Sequence, residues 1–251
     1  MSYPSSPLRT HQIDVVGQVG AAYRAVFERL QLVAEMALLP FLLIVAAEIV
    51  ESLLPTTATF GRVVIGLVHA ALLIVFATAF SVRWYRFLLL GETIGTAGLV
   101  PAGWAETMIV TLKLIAICIG FIAVSIIPAV IIGILSPLLM TSLMTIGVIA
   151  LALLGLRVLL AFPAAAIQRP VRLRTAWGWI AGNYWRLFAC GFACNLPFVV
   201  AGFLIGRIAQ ALPSWLQIAF IVVQLAVSFA SWAVIGALAA HLYRDLVIEP
   251  D

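Results

Sequence analysis

Six apolar stretches, each long enough to cross a bilayer, carry almost all of this chain's basic residues at alternate ends. A helix needs about 20 predominantly apolar residues to cross roughly 30 Å of hydrocarbon. We place the six predicted spans at 32–53, 63–84, 108–135, 143–162, 185–206 and 215–239. The alternation typical of barrel strands is absent, and lipid-facing backbone must be hydrogen-bonded within its own segment. The sequence therefore predicts an all-α polytopic membrane helix bundle.

The composition excludes an ordinary soluble domain. Hydrophobic residues make up 65% of the chain and charged residues 10%, whereas soluble domains are roughly half apolar and a quarter charged. Six spans leave little of the 251 residues for a second unit, so we expect one integral membrane domain over 1–251. The first apolar run begins only after Arg29 and lacks a cleavage pattern, which argues against a cleaved signal peptide.

The distribution of basic residues predicts the orientation of the spans. Twelve basic residues fall on one side of the predicted bundle and two, Arg62 and Arg207, on the other. The twelve are Arg9, Arg24, Arg29, Arg83, Arg86, Lys113, Arg157, Arg169, Arg172, Arg174, Arg186 and Arg244. We therefore expect both termini to be cytoplasmic. The net charge of +4 is explained by these topology determinants, so nucleic acid is not an expected partner.

An internal repeat of three two-span units is the main organisational feature. Arg29 precedes Pro40 by eleven positions in the first span, and Arg186 precedes Pro197 by the same interval in the fifth. Lys113 begins a looser copy in the third span. The units would be 12–90, 98–163 and 171–245, related by a pseudo-symmetry axis along the membrane normal. The alternative is that the Leu and Phe matches are accidental in so apolar a chain. The Arg-to-Pro spacing would then be the only evidence for a repeat.

Amphipathic segments precede two of the spans. In the N-terminal segment 12–30, Val16, Val19, Tyr23 and Phe27 recur at three- and four-residue spacing. This pattern predicts a helix whose apolar face lies on the inner leaflet, and the segment around Trp177 shows a similar pattern before the fifth span. The alternative is an ordinary cytoplasmic loop with some apolar residues.

Charged residues inside the predicted spans are the first candidate site. Glu35 lies about one turn into the first span, at a depth comparable to Lys113, Arg157 and Arg186. A charge inside the bilayer is costly unless it finds a partner, so we expect these four residues to form a buried ion-paired cluster on the inner side. The favoured interpretation is structural, namely that such a cluster satisfies polar groups and fixes the helix register.

Glu48 and His69 form the second candidate site, toward the outer side. They lie at similar depth on consecutive antiparallel spans, so they are expected to pair across the hairpin. A Glu and His pair could relay protons, because burial and mutual interaction can move both pKa values toward neutrality. The structural interpretation, that the pair only satisfies two polar groups, is the favoured one.

The sequence contains no signature of catalysis or of a cofactor. It lacks the GxSxG, HExxH and P-loop patterns, and its three cysteines, all within spans, form neither a disulfide framework nor a zinc site. We therefore expect no enzyme activity, no cofactor and no metal. Gly202 and Gly206 form a GxxxG pair, which favours close helix packing rather than a particular function.

The segment 156–188, LRVLLAFPAAAIQRPVRLRTAWGWIAGNYWRLF, carries one family resemblance. It resembles uncharacterised bacterial six-helix inner-membrane proteins related to the membrane domain of glycerophosphodiester phosphodiesterases. The matching residues are Pro170, Ala176, Trp177, Gly182, Asn183, Tyr184, Trp185, Arg186, Leu187 and Phe188. The resemblance implies a bacterial inner-membrane location. It implies no catalysis, because the soluble phosphodiesterase domain of some relatives is absent from this sequence.

These observations predict a noncatalytic inner-membrane module that acts through membrane lipids, a protein partner or a second copy of itself. The alternative is a small transporter or channel for a small molecule, an ion or a lipid. An exposed groove of small residues between spans would favour the first function. A water-accessible cavity that reaches Glu35, Glu48 or His69 would favour transport.

Overall fold

The computed structural model describes residues 12–53, 59–92, 101–135 and 137–248. Every regular element within these ranges is helical, so the all-α prediction is confirmed. The α-helices are α1 (Val15–Phe27), α2 (Leu30–Leu53), α3 (Thr59–Leu90), α4 (Trp104–Leu135), α5 (Pro137–Val158), α6 (Ala161–Ala166), α7 (Leu173–Trp179), α8 (Tyr184–Gln210) and α9 (Ser214–Tyr243). A π-helical turn, Arg244–Ile248, follows α9 directly.

Four segments of the described chain are long and apolar enough to cross a membrane, which suggests a multi-pass membrane protein. They are Leu30–Val50 in α2, Val63–Leu90 in α3, Tyr184–Gln210 in α8 and Ala219–Ile248, which runs from α9 into the π-helical turn. The third and fourth predicted spans correspond to α4 and α5, helices of 32 and 22 residues.

The predicted bounds of the fourth span, 143–162, are wrong at the C-terminal end. α5 ends at Val158 and the short α6 follows as a separate helix. Pro163 explains the break, because it has no N–H and its ring would clash with the carbonyl of Leu159 in a continuous helix. The chain turns there instead, and the N–H of Phe162 donates to the Leu159 carbonyl at 3.3 Å.

α9 is the central helix of the bundle and packs against α8, α1, α3 and α2. Its C-terminal half is buried, with Ala233 and Ala237 fully enclosed. The buried Trp84 of α3 donates its indole N–H to the carbonyl of Ala233 at 2.8 Å. Gly236 permits this approach, because a Cβ atom at that position would lie 2.9 Å from Cδ1 of Trp84.

The core lies toward one end of the bundle. We call it the basic end, because Arg86, Arg186 and Arg244 lie there, at the C-terminal end of α3, the N-terminal end of α8 and just after α9. Its largest buried side chains include Met36, Phe80, Trp84, Leu187, Leu238 and Leu242. At the opposite end α8 exposes Val199 and Phe203, as suits helices in contact with lipid. The helices therefore pack closely at the basic end and leave a groove toward the other.

The predicted N-terminal helix is present and ends at Phe27, three residues before the predicted limit of 30. α1 packs against α8 and α9 and buries Ala22 and Val26. Its other face leaves Val16 82% exposed and Phe27 55% exposed. That face suits contact with acyl chains, and its location on the inner leaflet stays a prediction.

Candidate functional site

A groove runs along the helix pair α8 and α9, and we call it the α8–α9 groove. Its wider part is a cleft of about 460 Å³ at the end of the bundle opposite the basic end. Gly202, Gly206 and Ala209 provide the small residues of one wall. The remaining lining residues are Ile205 and Gln210 of α8, Phe220, Ile221, Gln224 and Leu225 of α9, and Glu48 of α2.

The groove continues toward the basic end as a second cleft of about 310 Å³. The two clefts share Gly202 and Gln224, so they form one continuous depression. The further lining residues are Phe198, Val199 and Phe203 of α8, and Val227, Ser228, Ser231 and Trp232 of α9. Between Phe198 and Gln210 the groove follows α8 for about 18 Å, more than half of the hydrocarbon thickness.

A line of polar side chains follows the floor of the groove. Gln224, Ser228 and Ser231 are spaced by four and then three residues, which brings them to one face of α9. The Ser228 hydroxyl donates to the Gln224 carbonyl at 3.0 Å, and the Ser231 hydroxyl donates to Oδ1 of Asn195 at 2.8 Å. Both hydroxyl protons are thus used within the protein, as a membrane environment requires.

The structure brings Glu48 and His69 together. Nε2 of His69 lies 3.5 Å from Oε1 of Glu48, and the His69 and Glu48 side chains are 15% and 32% exposed, respectively. The two residues belong to α3 and α2, as predicted for the hairpin. Glu48 also lines the α8–α9 groove, so its carboxylate links this pair to the cleft.

The structure does not form the cluster expected from Glu35, Lys113, Arg157 and Arg186. Glu35 is exposed, and its carboxylate accepts a hydrogen bond of 3.0 Å from Gln31, one turn earlier on the same helix. Lys113 is exposed on α4. The two arginines are partly buried but use other partners. A shared depth along the spans does not specify which face of each helix a residue occupies, so residues at similar depth need not meet.

Arg157 and Arg186 bind aromatic rings and backbone instead of a carboxylate. The guanidinium carbon of Arg157 lies 4.3 Å from the centre of the Trp177 ring and 4.5 Å from that of Tyr184. Arg186 donates to the carbonyl of Ile13 at 3.2 Å. Within the described ranges, these contacts give the two cationic groups aromatic and backbone partners rather than a buried carboxylate.

Two other arginines at the basic end bind backbone carbonyls of distant helices. Arg86, near the end of α3, donates to the carbonyl of Ala166 at 3.0 Å. Arg244, just after α9, donates to the carbonyl of Leu88 in α3. Arg86, Arg157 and Arg244 thus lie at the C-terminal ends of α3, α5 and α9, respectively. Each contacts a residue of a different helix: Ala166 of α6, Trp177 of α7 and Leu88 of α3.

The first described residues are held at the basic end by the beginning of α8 and by α1. The N–H of the buried Ile13 donates to Oδ1 of Asn183 at 3.2 Å. Tyr23 of α1 donates its hydroxyl to the carbonyl of Cys194 at 3.0 Å. Burial, with a smaller effect of Cys194, raises the pKa of Tyr23, so the phenol stays protonated and able to donate.

Comparisons of the chain with models of known protein families, with curated proteins and with solved structures found no significant match.

The polar floor of the groove is absent from the sequence-based predictions, although the sequence contains a signal for it. Gln224, Ser228 and Ser231 are polar residues at helical spacing inside an otherwise apolar span. The predicted sites rest on charged residues and histidine alone. Gly202 and Gly206 fit a close-packing motif in the sequence, whereas Gly206 faces open space on its Cβ side in the structure.

Proposed function

We propose that this protein is a noncatalytic integral membrane module that holds a lipid laterally in the α8–α9 groove. The observation that supports this most directly is the groove itself, with glycines on one wall and a polar floor. Its wider cleft, about 460 Å³, falls within the range typical of small-molecule sites, roughly 300 to 1,000 Å³. The lining combines apolar surface with a few polar groups, as an amphiphilic ligand requires.

A lipid fits the groove better than a partner helix does. A helix packed on small residues needs a shallow surface without polar groups that remain unpaired. Here Glu48 and Gln224 line the wider cleft. The Gln224 amide lies directly beside the glycine wall, because a Cβ atom at Gly202 would be 2.9 Å from Nε2 of Gln224. An apolar helix face would bury the Gln224 amide against groups that cannot bond it and would leave the Glu48 carboxylate with His69 alone, at a substantial energetic cost. A lipid can bring its polar headgroup to them.

The test fills the groove with a side chain. The side chain added by Gly206→Leu should project into the cleft, because a Cβ atom at position 206 has no neighbour within 4 Å. Gly120→Leu is the matched control, since Gly120 is exposed on α4 and also has no neighbour within 4 Å. Native mass spectrometry of protein purified in mild detergent should show loss of one bound lipid from the first variant only. Equal lipid occupancy in both variants would overturn the proposal.

A small transporter is the second candidate, because Glu48 belongs both to the groove and to the pair with His69. In that function the pair would exchange a proton as the ligand moves along the groove. Proteoliposomes that contain a pH-sensitive dye would test it. Proton flux that requires both Glu48 and His69 would favour transport, and flux equal to that of protein-free vesicles would exclude proton coupling.

We propose six membrane spans, with α4 and α5 as the third and fourth and both termini in the cytoplasm of a bacterial cell. The basic residues at one end support this orientation, which follows the positive-inside rule. Reporter fusions at the two termini and between α4 and α5 would test it. Cytoplasmic signals at both termini and a periplasmic signal at the third position are expected. Termini on opposite faces would exclude an even number of spans.

The proposed threefold repeat is supported by the direction of the arginine contacts. With units 12–90, 98–163 and 171–245, Arg86 reaches from the first unit toward the end of the second. Arg157 reaches from the second unit to the third, and Arg244 from the third to the first. The helices that precede the spans follow the opposite order, since α1 of the first unit packs on α8 and α9 of the third, and α7 of the third unit packs on α5 of the second. Each unit would thus contact both of the others in a cyclic arrangement.

The relationship to the membrane domain of glycerophosphodiester phosphodiesterases also stays a proposal, based on the segment 156–188. Contacts of two matching residues give it a structural meaning, because Asn183 and Arg186 both hold the backbone of Ile13. A relative with the same residues should use them to attach its own N-terminal segment.

A further inference from the structure

We propose that the α8–α9 groove selects a phospholipid with a primary ammonium headgroup, and that Glu48 binds this ammonium group. This inference rests on the proposed function, since it specifies the lipid that the groove would hold. It assigns Glu48 a direct role in recognition rather than only a pairing role with His69.

The wider cleft lies at the depth where a headgroup would be found. Glu48 is five residues from the end of α2 at Leu53, and Gln210 is the last residue of α8. Phe220 lies six residues after Ser214, the first residue of α9. All three residues line the cleft. The end regions of three long apolar helices therefore surround it, and each of the three residues lies within about two helical turns of a helix end.

The charge of the lining favours a cation. Among the described residues that line the two clefts, Glu48 is the only one with an ionisable side chain. A carboxylate in a region of low dielectric attracts a positive group more strongly than it would in water. Gln210 and Gln224 contribute side-chain amides, which can donate to the phosphate of the same headgroup. The set is complementary to a zwitterion with an outer ammonium and an inner phosphate.

The chemistry of the acceptors favours a primary ammonium over a quaternary one. A carboxylate and the amide oxygens of glutamine accept hydrogen bonds, and a primary ammonium offers three N–H donors. A trimethylammonium group offers none and is typically bound in a cage of several aromatic rings. The wider cleft has a single aromatic lining residue, Phe220, within the described part of the chain.

The narrower part of the groove suits an acyl chain. The Ser228 and Ser231 hydroxyls donate to protein acceptors, so an apolar chain against them leaves no hydroxyl proton unbonded. Phe198, Val199 and Phe203 supply apolar surface beside them. The carboxylate and the two side-chain amides that a headgroup could use therefore line the wider cleft or its border, whereas the two hydroxyls of the narrower part are already bonded within the protein.

The first experiment uses the unaltered protein. Delipidated protein in mild detergent is mixed with equal amounts of dioleoyl phosphatidylethanolamine and dioleoyl phosphatidylcholine, and bound lipids are counted by native mass spectrometry. A charge-assisted hydrogen bond predicts a preference of about tenfold for the ethanolamine lipid. Monomethyl and dimethyl ethanolamine lipids should rank between the two. Equal binding of the two lipids would overturn the inference.

The second experiment removes the charge. Glu48→Gln should reduce the preference to near parity while a lipid is still bound. Glu35→Gln is the matched control, because it makes the same change on the same helix outside the groove lining. A Glu48→Gln variant that keeps the full preference would overturn the role of Glu48. If Glu48→Gln does not yield folded protein, the comparison of headgroups on the unaltered protein still decides the selectivity.

The outcomes separate this inference from the function on which it rests. Lipid that is displaced by Gly206→Leu but shows no headgroup preference would contradict the inference and leave the lipid-binding function supported. Lipid that Gly206→Leu does not displace would contradict both. A stoichiometric protein bound in the groove in place of lipid would also contradict both.

Discussion

The backbone N–H of Ile13 donates a hydrogen bond of 3.2 Å to Oδ1 of Asn183, 170 positions later in the chain. The carbonyl of Ile13 accepts a second hydrogen bond, from Arg186, also at 3.2 Å. Ile13 is 5% exposed, so both of its backbone polar groups would otherwise lack a partner in a buried place. The beginning of α8 therefore holds the segment that leads into α1, and α1 in turn packs against α8 and α9.

Asn183→Ala should lower the free energy of unfolding by about 1 to 3 kcal/mol, because the buried N–H of Ile13 loses its acceptor. Asn183→Asp retains a side-chain oxygen at the same position and should remain close to the unaltered protein. Thermal unfolding in detergent, followed by tryptophan fluorescence, would measure both. Equal stability of the alanine and aspartate variants would show that the hydrogen bond to Ile13 does not stabilise the fold.

Gly236→Ala should destabilise the protein by about 1 to 3 kcal/mol, which is typical of an overpacked core. The added methyl would lie 2.9 Å from Cδ1 of Trp84. Trp84 cannot move away easily, because it is fully buried and its N–H is bonded to Ala233. Gly66→Ala, on α3 with no neighbour within 4 Å, is the matched control and should be neutral or slightly stabilising. Thermal unfolding that shifts equally in both variants would contradict the packing argument.

The sequence was sufficient to predict the helices but not their faces. Apolar length and the need for internal backbone hydrogen bonds specify helices wherever about 20 apolar residues occur. Rotation about the helix axis depends on packing against neighbours, which periodicity cannot show when nearly every position is apolar. This explains why the structure brings Glu48 and His69 together on one hairpin, whereas Glu35 and Arg157, on helices distant in sequence, have different partners. The groove was also missed, because it depends on where α8 and α9 separate.

Gly103→Ala should be more disruptive than an alanine at a glycine that has free space around it. Gly103 has φ of +81°, and an added Cβ would overlap the carbonyl oxygen of Ala166. Gly91 has φ of +66° but no neighbour within 4 Å, so Gly91→Ala tests the backbone strain alone. Strain of that kind costs about 1 to 2 kcal/mol. The yield of folded protein by size-exclusion chromatography should fall further for Gly103→Ala, and equal yields would contradict the clash with Ala166.

Arg157→Met should loosen α7 without unfolding the bundle. The guanidinium of Arg157 lies over the rings of Trp177 and Tyr184, so it connects the end of α5 to α7 and to the beginning of α8. A cation–π contact in a partly buried place is worth about 1 kcal/mol, which corresponds to roughly fivefold faster opening of the contact. Hydrogen exchange at the amides of α7 should accelerate by that factor.

Arg174→Met is the first control, because it removes an exposed arginine of α7 itself and should leave the exchange unchanged. Arg157→Lys keeps the charge but not the planar group that stacks on both rings, so its exchange rate should fall between those of the unaltered protein and Arg157→Met. Equal exchange in Arg157→Met and Arg174→Met would mean that α7 is held by its apolar contacts alone.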